Sequence, residues 1–126
     1  MHKILLIEND SSILANYARV LTLEGFEVLT AINGLDGLRL ARTREPDLIL
    51  CDLRMPEMDG DAVLAALRAD PRTVRMPFIF MTASADHSER AARLAQGASD
   101  YLVKPIEFKV LLDAIARQLG TDGAPT

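Results

Sequence analysis

The 126 residues suffice for one hydrophobic core, since a core ordinarily takes on the order of 100 to 150 residues, and 49% apolar with 25% charged content excludes a disordered, collagenous or coiled-coil chain. Fourteen basic against 18 acidic residues give a formal charge of −4, which argues against a sequence-independent grip on nucleic acid or an anionic membrane surface. No apolar run nears the roughly 20 residues of a membrane span, no signal-peptide core follows Met1, and the single cysteine, Cys51, permits no internal disulfide, so a cytoplasmic setting without direct nucleic-acid or membrane partners is expected.

Ile4 to Ile7 is a short continuous apolar run, the pattern of a strand covered on both faces. Asp10 or Ser11 then offers an N-cap for a helix carrying Ile13, Leu14, Tyr17 and Leu21, which Gly25 closes. Phe26 to Ala31 resumes as a strand with Val28 and Leu29 inside, and Asn33-Gly34 turns the chain. Leu35 to Arg44 is a short helix that Pro46 ends. Leu48 to Cys51 is the second fully apolar run, stopped by Asp52, and a loop from Leu53 to Gly60 leads to a helix carrying Val63, Leu64 and Leu67. After the break at Asp70-Pro71, Pro77 to Met81 makes a third apolar run, closed by Thr82, and a polar helix follows from about Asp86 to Gln96. Ala98 to Val103 is the last strand, Lys104-Pro105 a turn, and Phe108, Leu111, Leu112, Ile115 and Leu119 form an amphipathic final helix. One domain over residues 1–119 is expected, with 120–126 as a flexible tail.

Alternation of strand and helix predicts a parallel sheet with helices on both faces, joined by right-handed crossovers. Ligands of such sheets sit outside the carboxyl ends of the strands, where strand order reverses. The polar residues at those ends are Glu8, Asn9 and Asp10 after the first strand, Asp52 after the third, Thr82 after the fourth and Lys104 after the fifth. Oxygen ligands without a histidine or thiol partner suit Mg2+, and a divalent cation relieves the repulsion among the carboxylates while keeping Asp52 ionised. An ionised Asp52 can attack phosphorus to give an aspartyl-phosphate, with Lys104 and Thr82 supplying charge and a hydroxyl to the phosphoryl oxygens. Taken singly, Asp52 reads as a loop carboxylate, Asp10 as a helix cap, Thr82 as a strand-end hydroxyl, Lys104 as a surface charge and Tyr101 as a packing aromatic; their convergence carries the chemical reading. Cys51 reads as an inert small hydrophobe, His2 and His87 as exposed, and Met55, Met58, Met76 and Met81 as core and loop filler.

The segments Ile7-Glu8-Asn9-Asp10, Leu50 to Gly60, Met81-Thr82-Ala83 and Gly97 to Pro105 together resemble the receiver domain of the two-component response-regulator family, over the chain through about Leu119. The resemblance implies a flavodoxin-like doubly wound (βα)5 sandwich with a five-stranded parallel sheet of order 2-1-3-4-5. It implies that Asp52 takes a phosphoryl group from a sensor histidine kinase or phosphotransfer protein, and that Mg2+ binds through Asp52, the acidic cluster and the backbone carbonyl of Arg54. Thr82 and Lys104 then hold the phosphoryl oxygens, and the Lys104-Pro105 bond is cis. Tyr101 resembles the family's switch aromatic, which moves with Thr82 and alters the surface of the fourth helix, fifth strand and fifth helix, where a downstream protein or a second, phosphorylated copy docks. Catalysis is then limited to the domain's own phosphorylation and dephosphorylation.

The sequence departs from the family at one ligand. Glu8 aligns with the first of two usual carboxylates and Asn9 with the second, so weaker metal binding is expected, with Asp10 as the substitute ligand. Arg54 and Ser84 fall where the family varies, flanking the route of the hydrolytic water. Arg90, Arg93, Glu107, Lys109 and Asp113 are expected at the partner-binding surface. A dehalogenase-type phosphatase needs an aspartate two residues past the nucleophile, where Arg54 stands, and a nucleotide or flavin binder needs a glycine-rich loop after the first strand. The alternative with support from Asn9 is a pseudo-receiver, an interaction module that works without phosphorylation. Because the chain ends just past the fifth helix, either a stand-alone regulator or an excised receiver without its output domain is expected.

Overall fold

A computed structural model describes residues 1–120, in which strands and helices alternate as β1 (Lys3–Ile7), α1 (Ser11–Leu23), β2 (Glu27–Ala31), α2 (Gly34–Arg44), β3 (Leu48–Asp52), α3 (Gly60–Arg68), β4 (Phe78–Thr82), α4 (His87–Ala95), β5 (Asp100–Val103) and α5 (Phe108–Leu119). All neighbouring strands pair in parallel in the order β2-β1-β3-β4-β5, so the sheet is the one the alternation predicts, and strand order reverses at β1. Gly120, expected in the tail, is instead the left-handed C-cap of α5 at φ 72°, and residues 121–126 lie outside the described residues. No helix among the described residues is long and apolar enough to cross a membrane.

The pleat divides each central strand between two cores, because successive side chains point to opposite faces. Leu5, Ile7, Ile49, Cys51, Phe78 and Phe80 pack with Leu38, Ala41, Val63, Leu64 and Leu67 of α2 and α3. Ile4, Leu6, Leu48, Leu50, Ile79 and Met81 pack with Leu21, Leu111, Ala114 and Ile115 of α1 and α5. Burial on both faces is why these strands read as unbroken apolar runs. Val28 and Leu29, expected inside, are only half-buried, because β2 is an edge strand with a neighbour on one side alone. His2 is likewise half-buried rather than exposed, its carbonyl accepting from Glu27 N at 2.9 Å.

Side-chain caps set the helix starts. Asp10 Oδ1 accepts from Ser12 N and Ile13 N, so Asp10 and not Ser11 caps α1. Asn33, expected in a turn, caps α2 by accepting from Asp36 N, and Gly34 is the first helical residue. Asp59 and Asp86 cap α3 and α4 in the same way. After α1, Gly25 adopts φ 96°, a conformation that the absence of a Cβ permits.

α4 differs from the other helices in burying no side chain. It forgoes the roughly 1.5–3 kcal/mol that each buried Leu or Ile contributes elsewhere. Polar contacts hold it instead: Arg93 forks onto both carboxylate oxygens of Asp61 in α3 at 3.0 and 2.8 Å, and Arg90 Nη1 donates to the Tyr101 carbonyl at 2.7 Å.

Gly60 matters through space, not conformation. A Cβ there would lie 2.6 Å from the Asp52 carbonyl oxygen and 2.8 Å from Phe80 Cε1, and backbone cannot yield as a flexible side-chain end can. Gly60→Ala is therefore expected to destabilise the fold by about 1–3 kcal/mol, the usual range for overpacking, read as a lower midpoint in urea unfolding with an unchanged slope.

Candidate functional site

The sheet register brings the site together. Asp52 is the last residue of β3 and pairs with Met81, while Thr82, the last of β4, pairs with Val103. Beyond these pairs Leu53 N donates to Met81 O at 3.2 Å and Lys104 N to Thr82 O at 2.6 Å, so the ladder continues one residue past each strand. Glu8 is fixed likewise after β1 by its N–H donating to Ala31 O at 3.0 Å. The loop leaving Asp52 is tied back by Gly60 N donating to Leu53 O at 2.9 Å.

At this edge Lys104 Nζ lies 2.7 Å from Glu8 Oε1 and 3.5 Å from Asp52 Oδ1. Glu8 is 1% exposed, and its other oxygen accepts from Asp10 N at 3.0 Å. Asp52 is 8% exposed. Its carboxyl is pushed above the ordinary carboxylate range, first by burial and then by the charge of Glu8, with Lys104 acting in the opposite direction. Burial pulls the Lys104 ammonium down, yet its contacts with Glu8 and Asp52 outweigh this and hold it above its usual value. One cation thus serves two buried carboxylates.

Thr82 is buried beside this group, and its Oγ1 accepts from Ser84 N at 3.2 Å. Tyr101 is also buried, its ring edge-on to Phe80 and its hydroxyl donating to Ser84 O at 3.1 Å. Ser84 therefore touches both residues of the expected switch. Asn9 and Asp10 are exposed, and Asp10 Oδ1 is engaged in the helix cap. Among the described residues no three His, Cys, Asp or Glu side chains come together as a metal cluster. The Lys104–Pro105 bond is cis. Lys104 and Pro105 also line a cavity of about 440 Å³ with Ile13, Asn16 and Tyr17.

Cys51 is fully buried, and burial, reinforced by the charge of Asp52, pushes its thiol well up, so it is an unreactive core residue. Arg93 requires a correction: expected at the exposed surface, its side chain is 15% exposed because Asp61 and Glu89 hold it. Sequence reasoning also passed over Glu89, which accepts from Ser84 Oγ at 2.9 Å and lies 3.5 Å from Arg54 Nη2. The i,i+4 spacing of Glu89 and Arg93 was a visible signal for one of its contacts.

Two measurements test this electrostatic arrangement. Folding raises the Asp52 pKa, so its favourable contribution is complete only below the ordinary carboxylate range and is lost as pH rises through the raised value. Asp52→Asn is accordingly expected to be more stable than the wild type at pH 7, with the gain shrinking to nothing in acid where both side chains are neutral. Paired thermal melts across pH read this difference. Lys104→Ala is expected to destabilise the protein at pH 7 by about 3 kcal/mol, because it leaves a buried charge unpaired, and adding Glu8→Gln should restore part of that loss in urea unfolding.

Comparison with known proteins places this geometry in a family. The family model described as a response regulator receiver domain matches residues 4–116. The transcriptional regulatory protein PrrA of Mycobacterium tuberculosis is 43% identical over 115 residues, 91% of this chain and 47% of that protein. Protein PilH of Pseudomonas aeruginosa is 34% identical over 115 residues, covering 91% of this chain and 95% of its own length. A receiver domain crystal structure from Clostridium thermocellum superposes with a TM-score of 0.88 at 30% identity over the whole of both chains. The chain spans about half the length of the curated PrrA relatives, at 47%. With the family model covering nearly all of the sheet and helices, and the fold matching solved receivers end to end, the chain belongs to the response regulator receiver domain family.

Proposed function

We propose that Asp52 accepts a phosphoryl group from a partner histidine kinase or phosphotransfer protein. The observation that carries this reading is the placement of the Asp52 carboxylate at the carboxyl end of β3, with Lys104 Nζ 3.5 Å away and Glu8 on the same ammonium. An Asp52 oxygen attacks phosphorus, the phosphorus–nitrogen bond of the donor phosphohistidine breaks, the imidazole leaves with the bonding pair, and an acyl phosphate remains on Asp52. Lys104 holds the developing charge on the phosphoryl oxygens, and Thr82 turns its hydroxyl toward them by releasing Ser84 N. The all-oxygen donor set suits Mg2+: the carboxylates of Glu8 and Asp52, the Asn9 amide oxygen and the Arg54 carbonyl, with Asp10 held back by its cap. When bound, that ion offsets the charge of carboxylates and phosphate together. Asn9 makes the set one charge poorer than a paired-carboxylate site.

Tyr101 and Thr82 both touch Ser84, which supports a coupled movement of the threonine and the tyrosine on phosphorylation. The surface they govern lies on α4, β5 and α5, where Val103, Phe108 and Val110 are exposed, and there a downstream protein docks. Incubation with acetyl phosphate and Mg2+ is expected to add about 80 Da, one phosphoryl unit, to the wild type and nothing to Asp52→Asn, as an adduct stable in acid and labile in base. Label persisting on Asp52→Asn refutes Asp52 as the acceptor, and no reaction by either protein favours the pseudo-receiver.

A further inference from the structure

Because α4 is mounted through polar atoms, a residue of its first turn that joins several of them has leverage over it. That residue is Glu89. Its Oε2 accepts from Ser84 Oγ at 2.9 Å, while its Oε1 lies 3.5 Å from Arg54 Nη2 and 3.5 Å from Arg93 Nη1. Arg93 is secured independently by its two contacts with Asp61. Arg54 is not: its side chain is 75% exposed and has one long contact with an oxygen it shares. Arg54 also sits two residues beyond Asp52, a chain distance of at most about 7 Å, which an arginine side chain can span.

A phosphoryl group on Asp52 would bring a charge of about −1.5 to −2 and three acceptor oxygens to a position that held a single carboxylate charge. Guanidinium pairs with such oxygens bidentately, a better contact than one carboxylate oxygen at 3.5 Å. We propose that Arg54 exchanges partners, leaving Glu89 for the phosphoryl group, and so reports the state of Asp52 to α4 by a route separate from Thr82 and Tyr101. The inference rests on Asp52 being the phosphoryl acceptor. The exchange unfastens the first turn of α4 from the β3–α3 loop, whereas Arg93 and Asp61 keep the last turn of the helix on α3. α4 pivots and does not detach. The Arg54 guanidinium touches the phosphoryl oxygens directly in this scheme, and its backbone carbonyl plays no part in the exchange.

Thermodynamic reciprocity makes the exchange measurable, since a residue that competes for Arg54 must weaken phosphoryl binding by the factor with which the phosphoryl group displaces it. The probe is beryllium trifluoride, a non-hydrolysable phosphoryl mimic, titrated by calorimetry at fixed Mg2+ and ionic strength. Glu89→Gln is expected to bind it about two- to fivefold more tightly than the wild type, the range for an exposed ion pair, although residue 89 lies outside the acceptor site. Arg54→Ala is expected to bind more weakly, and adding Glu89→Gln to Arg54→Ala should change nothing further. Unchanged or weaker binding by Glu89→Gln, undiminished binding by Arg54→Ala, or an effect of Glu89→Gln that survives in the double variant overturns the exchange while leaving Asp52 as acceptor. A wild type that neither binds the fluoride nor forms an acyl phosphate removes the acceptor reading, and the exchange falls with it.

Discussion

The constraint on which the structure depends is the single ammonium shared by two buried carboxylates. Glu8 and Asp52 lie at the carboxyl ends of different strands, and each would be costly to bury ionised without a cation. Lys104 answers both, yet it follows β5, which is separated from β3 by the whole width of β4. The contact forms only when β1, β3, β4 and β5 are all in register, because a one-residue slip would turn every side chain to the opposite face. Core packing and the ion cluster therefore select the same register, the first through apolar alternation and the second through charge.

The same cluster bears on the role proposed for Asp52. Burial and Glu8 act on Asp52 against its ionised form, and Lys104 offsets this only in part. On the proposed reading, a phosphoryl group arriving at Asp52 would meet an ammonium already in place, so little reorganisation would be required there. The surroundings are less fixed: Thr82, Ser84, Tyr101 and Glu89 are joined by single hydrogen bonds, of which the Ser84–Glu89 bond lies farthest from the packed core.

The fold was legible where burial is two-sided. Ile4 to Ile7, Leu48 to Cys51 and Phe78 to Met81 are apolar without interruption because helices cover both faces, and residues at their carboxyl ends could be assigned to one edge before any coordinates. The edge strand β2 was less readable, since Val28 and Leu29 look like core residues whose second neighbour is missing. Asp10 illustrates a different limit: capping and metal ligation ask for the same side chain, and only the bonds to Ser12 N and Ile13 N show which use the fold makes of it. Arg93–Asp61 and Arg54–Glu89 were invisible because they join elements far apart in sequence through side chains that carry no periodic signature. Gly60 was read as a loop end, whereas its role comes from the nearness of the Asp52 carbonyl.

The bare underside of α4 sets the conditions under which that helix can move. Local opening of an element that buries no apolar side chain exposes little new hydrophobic surface, so it carries almost no heat-capacity change and little response to denaturant. Such a movement would be nearly silent in calorimetric or urea titrations that report on the whole domain. Ionic strength is a natural control for its first turn, because screening weakens the exposed Arg54–Glu89 pair while leaving the two apolar cores untouched. The first turn of the helix thus answers to a variable to which the two apolar cores do not.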